Sequence, residues 1–255
     1  MILRALRRAV ALALTIIASF LRLGLARLGG PLTLEQRARW MHSSCRMAMT
    51  ALGIRSRIVG QPPAHGLLVS NHLSYLDILI YGAALPCFFV SKAEISRWPF
   101  IGAMGRANGT IFLDRSSRTS AERVAAIIAE RLALPVPVLL FPEGTSSDGT
   151  SLLRFHSRMF DPAVVAGAPV MAATVRYVNE DGAEERDLCW FGDAPFLPHL
   201  LKTLCVASFF AELRFGESRV YSHRRTASDS THAEIAGLRE QSSLALHCAS
   251  LSTDS

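Results

Sequence analysis

Lysine is almost missing from this chain of 255 residues: of its 27 basic residues only Lys92 and Lys202 are lysine, and the other 25 are arginine. Charge of either sign is thin at 19% of residues, whereas half are hydrophobic and the mean hydropathy is +0.26. A chain that apolar is not disordered, because it has ample side chain to bury in a core. Cysteine is sparse as well. Cys45, Cys87, Cys189, Cys205 and Cys248 stand far apart with no Cys-x-x-Cys pair, which argues against a disulfide scaffold or a structural zinc site and suits a reducing compartment. Several catalytic signatures are absent too: no Gly-x-Ser-x-Gly elbow, no phosphate loop ending in Gly-Lys-Ser/Thr, no dinucleotide fingerprint and no His-Glu-x-x-His. With no serine or cysteine beside a base in sequence, a covalent acyl-enzyme is not indicated.

The net charge of +6 is local. Residues 1–60 hold ten arginines against one acid, Glu35, a net +9 that leaves the remainder at −3. The body of the chain therefore has no general nucleic-acid-binding signature. Within the basic segment, Arg4, Arg7 and Arg8 precede the apolar run Val10 to Leu21, which stops at Arg22. These twelve residues of helix reach about 18 Å, short of the roughly 30 Å hydrocarbon core. The expectation is a helix lying in the cytoplasmic leaflet with its arginines on anionic lipid. A secretory leader is the rival reading, opposed by Arg22 and Arg27 and by the cysteine pattern. A bitopic anchor stretched to Leu28 by snorkelling arginines is a third.

Gly29-Gly30-Pro31 ends that helix, and Thr33 with Gln36 forms a capping-box pattern for a second one, residues 34–52, closed by Gly53. Its stripe of Leu34, Ala38, Met41, Cys45 and Met49 fits either a membrane-surface helix or one packed on the domain. Residues 1–53 are thus predicted to form a membrane-docking helical hairpin. Residues 1–30 are expected to supply membrane affinity and no chemistry, so that their removal leaves activity on detergent-dispersed substrate.

From residue 54 the pattern alternates short strands and helices. Strands are predicted at 54–59, 67–70, 87–91, 110–113, 136–141, 169–177, 188–191 and 210–215. Helices are predicted at 75–84, 99–106, 120–134, 162–166, 195–207 and about 230–246. Strand 136–141 is continuously apolar, as strands covered on both faces are. The fold class expected is α/β, a single domain (54–216) with a mixed, largely parallel sheet flanked by helices. A polar tail (217–255) follows, with one peripheral helix and no chemistry.

Three clusters fall at strand ends, where open α/β sheets bind their ligands. In Ser70-Asn71-His72-Leu73-Ser74-Tyr75-Leu76-Asp77, a strand delivers His72 to the sheet edge and Ser74 is placed to cap the next helix. On one regular helix His72 and Asp77 would diverge by about 140°. With His72 in the turn and Asp77 in the first helical turn, the carboxylate folds back onto the imidazole as orienter to base. The other reading is a strand-end histidine hydrogen-bonded to a helix N-terminus. Gly109 to Arg115 ends a strand in an Asp114-Arg115 pair, which reads either as an anion clamp or as a local ion pair. Phe141-Pro142-Glu143-Gly144-Thr145-Ser146-Ser147-Asp148-Gly149 opens a buried strand into a turn of glycine, hydroxyls and acids. His156 and His199 stand alone.

Taken in order, these pieces resemble the glycerolipid acyltransferase family. Its Asn-His with Asp five residues after the His is matched by Asn71, His72 and Asp77. Its Gly-x-Ile-Phe-x-x-Arg is matched by Gly109, Ile111, Phe112 and Arg115, and its Phe-Pro-Glu-Gly-Thr by residues 141–145. A proline-bearing apolar strand follows at Pro169-Val170-Met171. The resemblance covers roughly residues 55–216. It implies transfer of a fatty acyl group from acyl-carrier protein or coenzyme A to the hydroxyl of a membrane lysolipid, first of all 1-acylglycerol 3-phosphate. It further implies His72 as base and Asp77 as its orienter. Arg115, Glu143, Gly144 and Thr145 would lie on the acceptor, the Gly144 amide facing the oxyanion. Neither metal nor cofactor is implied beyond the thioester co-substrate. One departure stands out: many members carry arginine after the threonine, where this chain has Ser146, as do members that acylate lyso-ornithine lipid.

Overall fold

The computed structural model describes residues 1–113, 118–179, 184–207 and 209–251. In chain order the elements are α1 (Ile2–Arg27), α2 (Leu34–Leu52), β1 (Ile54–Val59), β2 (Leu67–Ser70), α3 (Leu76–Ala84), β3 (Phe88–Lys92), α4 (Ile101–Asn108) and β4 (Ile111–Leu113). They continue with α5 (Arg118–Leu132), β5 (Val138–Leu140), α6 (Asp161–Val165), β6 (Val170–Asn179), α7 (Phe196–Cys205), β7 (Phe209–Arg219) and α8 (Arg224–Leu251). Among the described residues the strands form one seven-stranded sheet in the order β1-β7-β6-β2-β5-β3-β4. Every neighbouring pair is parallel except β6–β7. This is the mixed, largely parallel sheet that the alternation predicts.

β2 and β5 sit at the centre and are buried on both faces. One apolar layer, with Cys45, Met49, Leu76 and Ile80, covers the face carrying α2 and α3. The other, with Val124, Ile128, Ala163 and Ile235, covers the face carrying α5, α6 and α8. Parallel strands sandwiched in this way read as unbroken apolar runs, which is why Leu67-Leu68-Val69 shows no alternation. Cys45, Cys87 and Cys189 are buried free thiols in this core.

The second helix begins as its capping box dictates: the Thr33 hydroxyl accepts from the Gln36 N–H, and the Gln36 side chain accepts from the Thr33 N–H. Its stripe is not a membrane face. Ala38, Met41, Cys45 and Met49 are all buried, and α2 packs on α3 and α1.

The first helix runs well past its apolar run. At 26 residues it is about 39 Å long, and it is long and apolar enough, with a mean hydropathy of 2.1 over its best window, to cross a bilayer. It is also not a removable appendage. Leu23 belongs to the core, the Trp40 indole donates to the Ser19 carbonyl at 2.8 Å, and the buried Arg8 guanidinium donates to the carbonyls of Leu204, Val206 and Ala207. The opposite side is bare: Leu6, Val10, Leu14, Ile17, Leu21 and Leu25 are all exposed at intervals of three or four residues, an apolar stripe along the whole helix.

Two further expectations change. Residues 188–191 form no strand: Glu185–Leu188 is a 3-10 turn, and the Trp190 N–H donates to the Leu73 carbonyl at 2.9 Å while the Trp190 carbonyl accepts from the Ser146 hydroxyl. Those backbone groups tie two loops together in place of a ladder. The C-terminal helix is longer than expected and integral. Ala227, Thr231, Ile235 and Ser242 are fully buried where α8 crosses β6 and β7.

Candidate functional site

β2 ends at Ser70, and the chain turns through Asn71 and His72 into α3. Asn71 is buried and fastens this turn to the neighbouring strand β6. Its carbonyl oxygen accepts from the Val175 N–H at 3.0 Å and the Thr174 hydroxyl at 2.8 Å, and its amide donates to the Val175 carbonyl at 3.1 Å. The side chain completes the β2–β6 ladder one residue beyond the last backbone pair.

The next residue is thereby fixed at the sheet edge. His72 Nδ1 lies 2.7 Å from Asp77 Oδ2, so the structure brings the pair together as the turn-then-helix reading predicts. Asp77 is fully buried in the first turn of α3. Its Oδ2 also accepts from the N–H groups of Leu73 and Ser74, at 2.7 and 3.1 Å. Asp77 thus braces the turn that precedes α3, and the Ser74 hydroxyl reaches the Leu76 N–H only at 3.4 Å. Since a carboxylate accepts and does not donate, Nδ1 carries the proton and Nε2 keeps its lone pair. The imidazole stacks on Phe141, centroids 4.2 Å apart and planes 16° from parallel, and remains 21% exposed. The arrangement is a base held in one tautomer and reachable from outside, able to take a proton from a hydroxyl.

Glu143 arrives from the end of β5, the strand on the other side of β2. It is 4% exposed, and both oxygens serve the backbone: Oε1 accepts from the His72 N–H at 2.8 Å, Oε2 from the Leu153 N–H at 3.1 Å. The structure therefore turns this carboxylate onto the backbone of the two neighbouring loops. Gly144, in the left-handed region at φ 71, lets the chain double back after Glu143. Its N–H donates to the Phe141 carbonyl at 3.1 Å, closing the turn. Thr145 is exposed on the loop. Ser147 returns to the histidine, its N–H donating to the His72 carbonyl at 2.8 Å. Arg115 lies outside the described residues. His199 pairs with the Tyr75 hydroxyl through Nδ1 at 3.1 Å, and the His156 backbone N–H donates to the Pro142 carbonyl.

Tyr177 is the residue that the sequence reading misses. Its hydroxyl donates to the second Asp77 oxygen. Burial, followed by the Asp77 charge, pushes that hydroxyl well above its usual range, so it stays a donor. A buried tyrosine on an apolar strand needs a polar partner, and that was the available signal.

Burial raises the Glu143 carboxyl from 4.5 to about 7 against the opposing pull of its two N–H partners and of His72. The folded chain keeps this proton over a range in which the unfolded chain has lost it, so the contribution is full below about pH 4.5 and gone above about pH 7. Stability should fall across that window by up to about 3 kcal/mol from this group. Glu143→Gln should remove that part of the pH response. Denaturant unfolding in detergent at pH 5 and pH 8 measures it, and equal pH responses in variant and wild type would refute it.

A family model described as Acyltransferase matches residues 57–176. The lyso-ornithine lipid O-acyltransferase of Rhodobacter capsulatus is 38% identical over 168 residues, 64% of this chain and 60% of that protein. The counterpart of the same description in Brucella abortus is 33% identical over 186 residues, 68% of this chain and 70% of its own. The 1-acyl-sn-glycerol-3-phosphate acyltransferase of Neisseria meningitidis is 38% identical over 151 residues, 58% of this chain and 59% of that one. The chain thus spans about three fifths of the length of the first of these curated relatives. Among solved structures, the 1-acyl-sn-glycerophosphate acyltransferase of Thermotoga maritima superposes with a TM-score of 0.66 over 93% of this chain and 95% of that one, at 18% identity. That similarity is one of fold.

Proposed function

The chain belongs to the acyltransferase family, and we propose that its His72–Asp77 pair transfers a fatty acyl group from a thioester to the free hydroxyl of a lysolipid. The observation that carries this reading is the imidazole anchored at Nδ1 by a buried carboxylate, with the ring still partly exposed at the sheet edge. His72 Nε2 takes the acceptor's hydroxyl proton as the oxygen attacks the thioester carbonyl carbon. The negative Asp77 stabilises the imidazolium that forms. The tetrahedral intermediate collapses by breaking the carbon–sulfur bond, and the leaving thiolate recovers the proton from His72. Glu143 acts here as a support for the turn, while Arg115 and the exposed Thr145 take the acceptor's head group. The donor is acyl-carrier protein or coenzyme A.

The acceptor lives in a bilayer, and the bare stripe of α1 fits the interface on the cytoplasmic side, with the arginine-rich segment on anionic lipid. Ser146 bears on which lysolipid it is. Its hydroxyl is committed to the Trp190 carbonyl at the position where the family resemblance calls for an arginine. A phosphate monoester gains from a second cation more than a single carboxylate does, so the geometry favours lyso-ornithine lipid, as the names of the Rhodobacter and Brucella relatives suggest. Lysophosphatidate is the second reading, favoured by the Neisseria relative. Acyl thioesters incubated with each lysolipid in detergent, with thiol release followed and products identified by mass, test the proposal. Release with either acceptor supports acyl transfer, and the ratio assigns the acceptor. No release with any acceptor would leave a lipid-binding protein on this scaffold.

A further inference from the structure

The C-terminal helix brings one cation into the neighbourhood of the site. Arg239 on α8 is 15% exposed at its side chain and reaches three segments at once. Nη1 donates to the Val175 carbonyl at 2.9 Å, and Nη2 donates to the Gly149 carbonyl and to Glu185 Oε2, each at 2.8 Å. Each contact leads one step further to the catalytic turn. Val175 is the residue gripped by Asn71, immediately before His72. Gly149 closes the loop whose Ser147 holds the His72 carbonyl. Glu185 uses its other oxygen to accept the Tyr177 N–H at 2.9 Å, and the Tyr177 hydroxyl donates to Asp77. Gly149 itself sits at φ 81, a conformation that favours glycine, and a Cβ there would press to 3.0 Å on Glu185 Oε2.

We propose that Arg239 is a positioning residue for the His72–Asp77 pair, so that α8 completes the site; this rests on the acyl-transfer reading above. A guanidinium suits the task because its planar fork aims several donors at fixed angles. Without it, Glu185 is left as a largely buried charge and two carbonyls lose a donor. The middle of β6 then loses its outer clamp, and Tyr177 and Asn71 lose their fixed support. Lysine keeps the charge but cannot address three acceptors from one rigid plane.

The test uses the full chain in detergent with the thioester and lysolipid that the wild type accepts. Arg239→Gln should lower kcat about 10- to 100-fold, once corrected for folded fraction, with KM for both substrates within about threefold. Arg239→Lys should recover part of the loss. Tyr177→Phe should lower kcat as well, and the double variant should be no slower than the slower single one, because both act through Asp77. A purely structural role would instead lower the melting temperature and the folded fraction and give additive losses. Wild-type kcat in Arg239→Gln, a change confined to KM, or additivity in the double variant overturns the proposal. Should Arg239→Gln fail to fold, Arg239→Lys decides: a kcat-selective loss supports the proposal and wild-type kinetics refute it. A wild type that transfers no acyl group removes both readings, whereas an active wild type indifferent to Arg239 removes only this one.

Discussion

His72→Ala should abolish acyl transfer while leaving the protein folded. Removing a general base typically lowers the rate about 10²- to 10⁴-fold, equivalent to roughly 3–5.5 kcal/mol in the barrier. The fold should tolerate the change, because the ring gives up one stack on Phe141 and one of the several hydrogen bonds that hold Asp77. The backbone of residue 72 keeps its links to Glu143 and Ser147, and Asp77 keeps the two N–H groups of Leu73 and Ser74. Turnover by product mass, beside a thermal unfolding curve, measures both halves of the expectation. A variant that retained more than a tenth of the wild-type rate would remove His72 from the mechanism.

Asp77 allows a finer separation. In Asp77→Asn the amide oxygen should take the place of Oδ2, because three donors converge there: His72 Nδ1, Leu73 N–H and Ser74 N–H. The NH2 then faces Tyr177, whose hydroxyl turns to accept. The histidine tautomer survives and the charge that stabilises the imidazolium does not, so kcat should fall about 10²- to 10³-fold with a small change in stability. Asp77→Ala is a different experiment. It strands two amides in the turn before α3 and the buried Tyr177 hydroxyl, and should cost roughly 2–5 kcal/mol of stability as well as the activity. Unfolding midpoints for the two variants decide it. Equal destabilisation by Asn and Ala would show that the converging donors do not hold the side chain.

The site's centre was legible because its logic is local. Asn71, His72 and Asp77 lie within seven residues, and a strand followed by a helix start was enough to fold the carboxylate onto the ring. The start of the second helix was equally local, its capping box being spelled by Thr33 and Gln36. What the sequence hid is what long-range packing decides. Whether Glu143 faces a substrate or the backbone depends on where Leu153 and His72 end up, and no periodicity encodes that. The stripe of α2 fits lipid or protein equally until α3 is placed beside it. Tyr177 and Arg239 sit about 100 and 160 residues beyond the turn they brace, one at the far end of the apolar strand that Pro169 opens and the other in a polar tail that carries no motif. The tail looked peripheral because its buried positions are small, Ala227, Thr231 and Ser242 among them, and residues of that size leave little hydrophobic signature.

The first helix has a practical consequence for handling the molecule. It is a partition with two different sides: one is stitched to the domain through Arg8 and Trp40, and the other is bare leucine, isoleucine and valine. Cutting it away would not yield a water-soluble enzyme. It would trade the outer greasy surface for an inner one, uncovering Trp40 and the neighbours of Leu23, and it would leave the carbonyls of Leu204, Val206 and Ala207 without their guanidinium. Solubility is better sought by replacing Leu14, Ile17 and Leu21 with polar residues on the intact helix, since each of these side chains is more than half exposed.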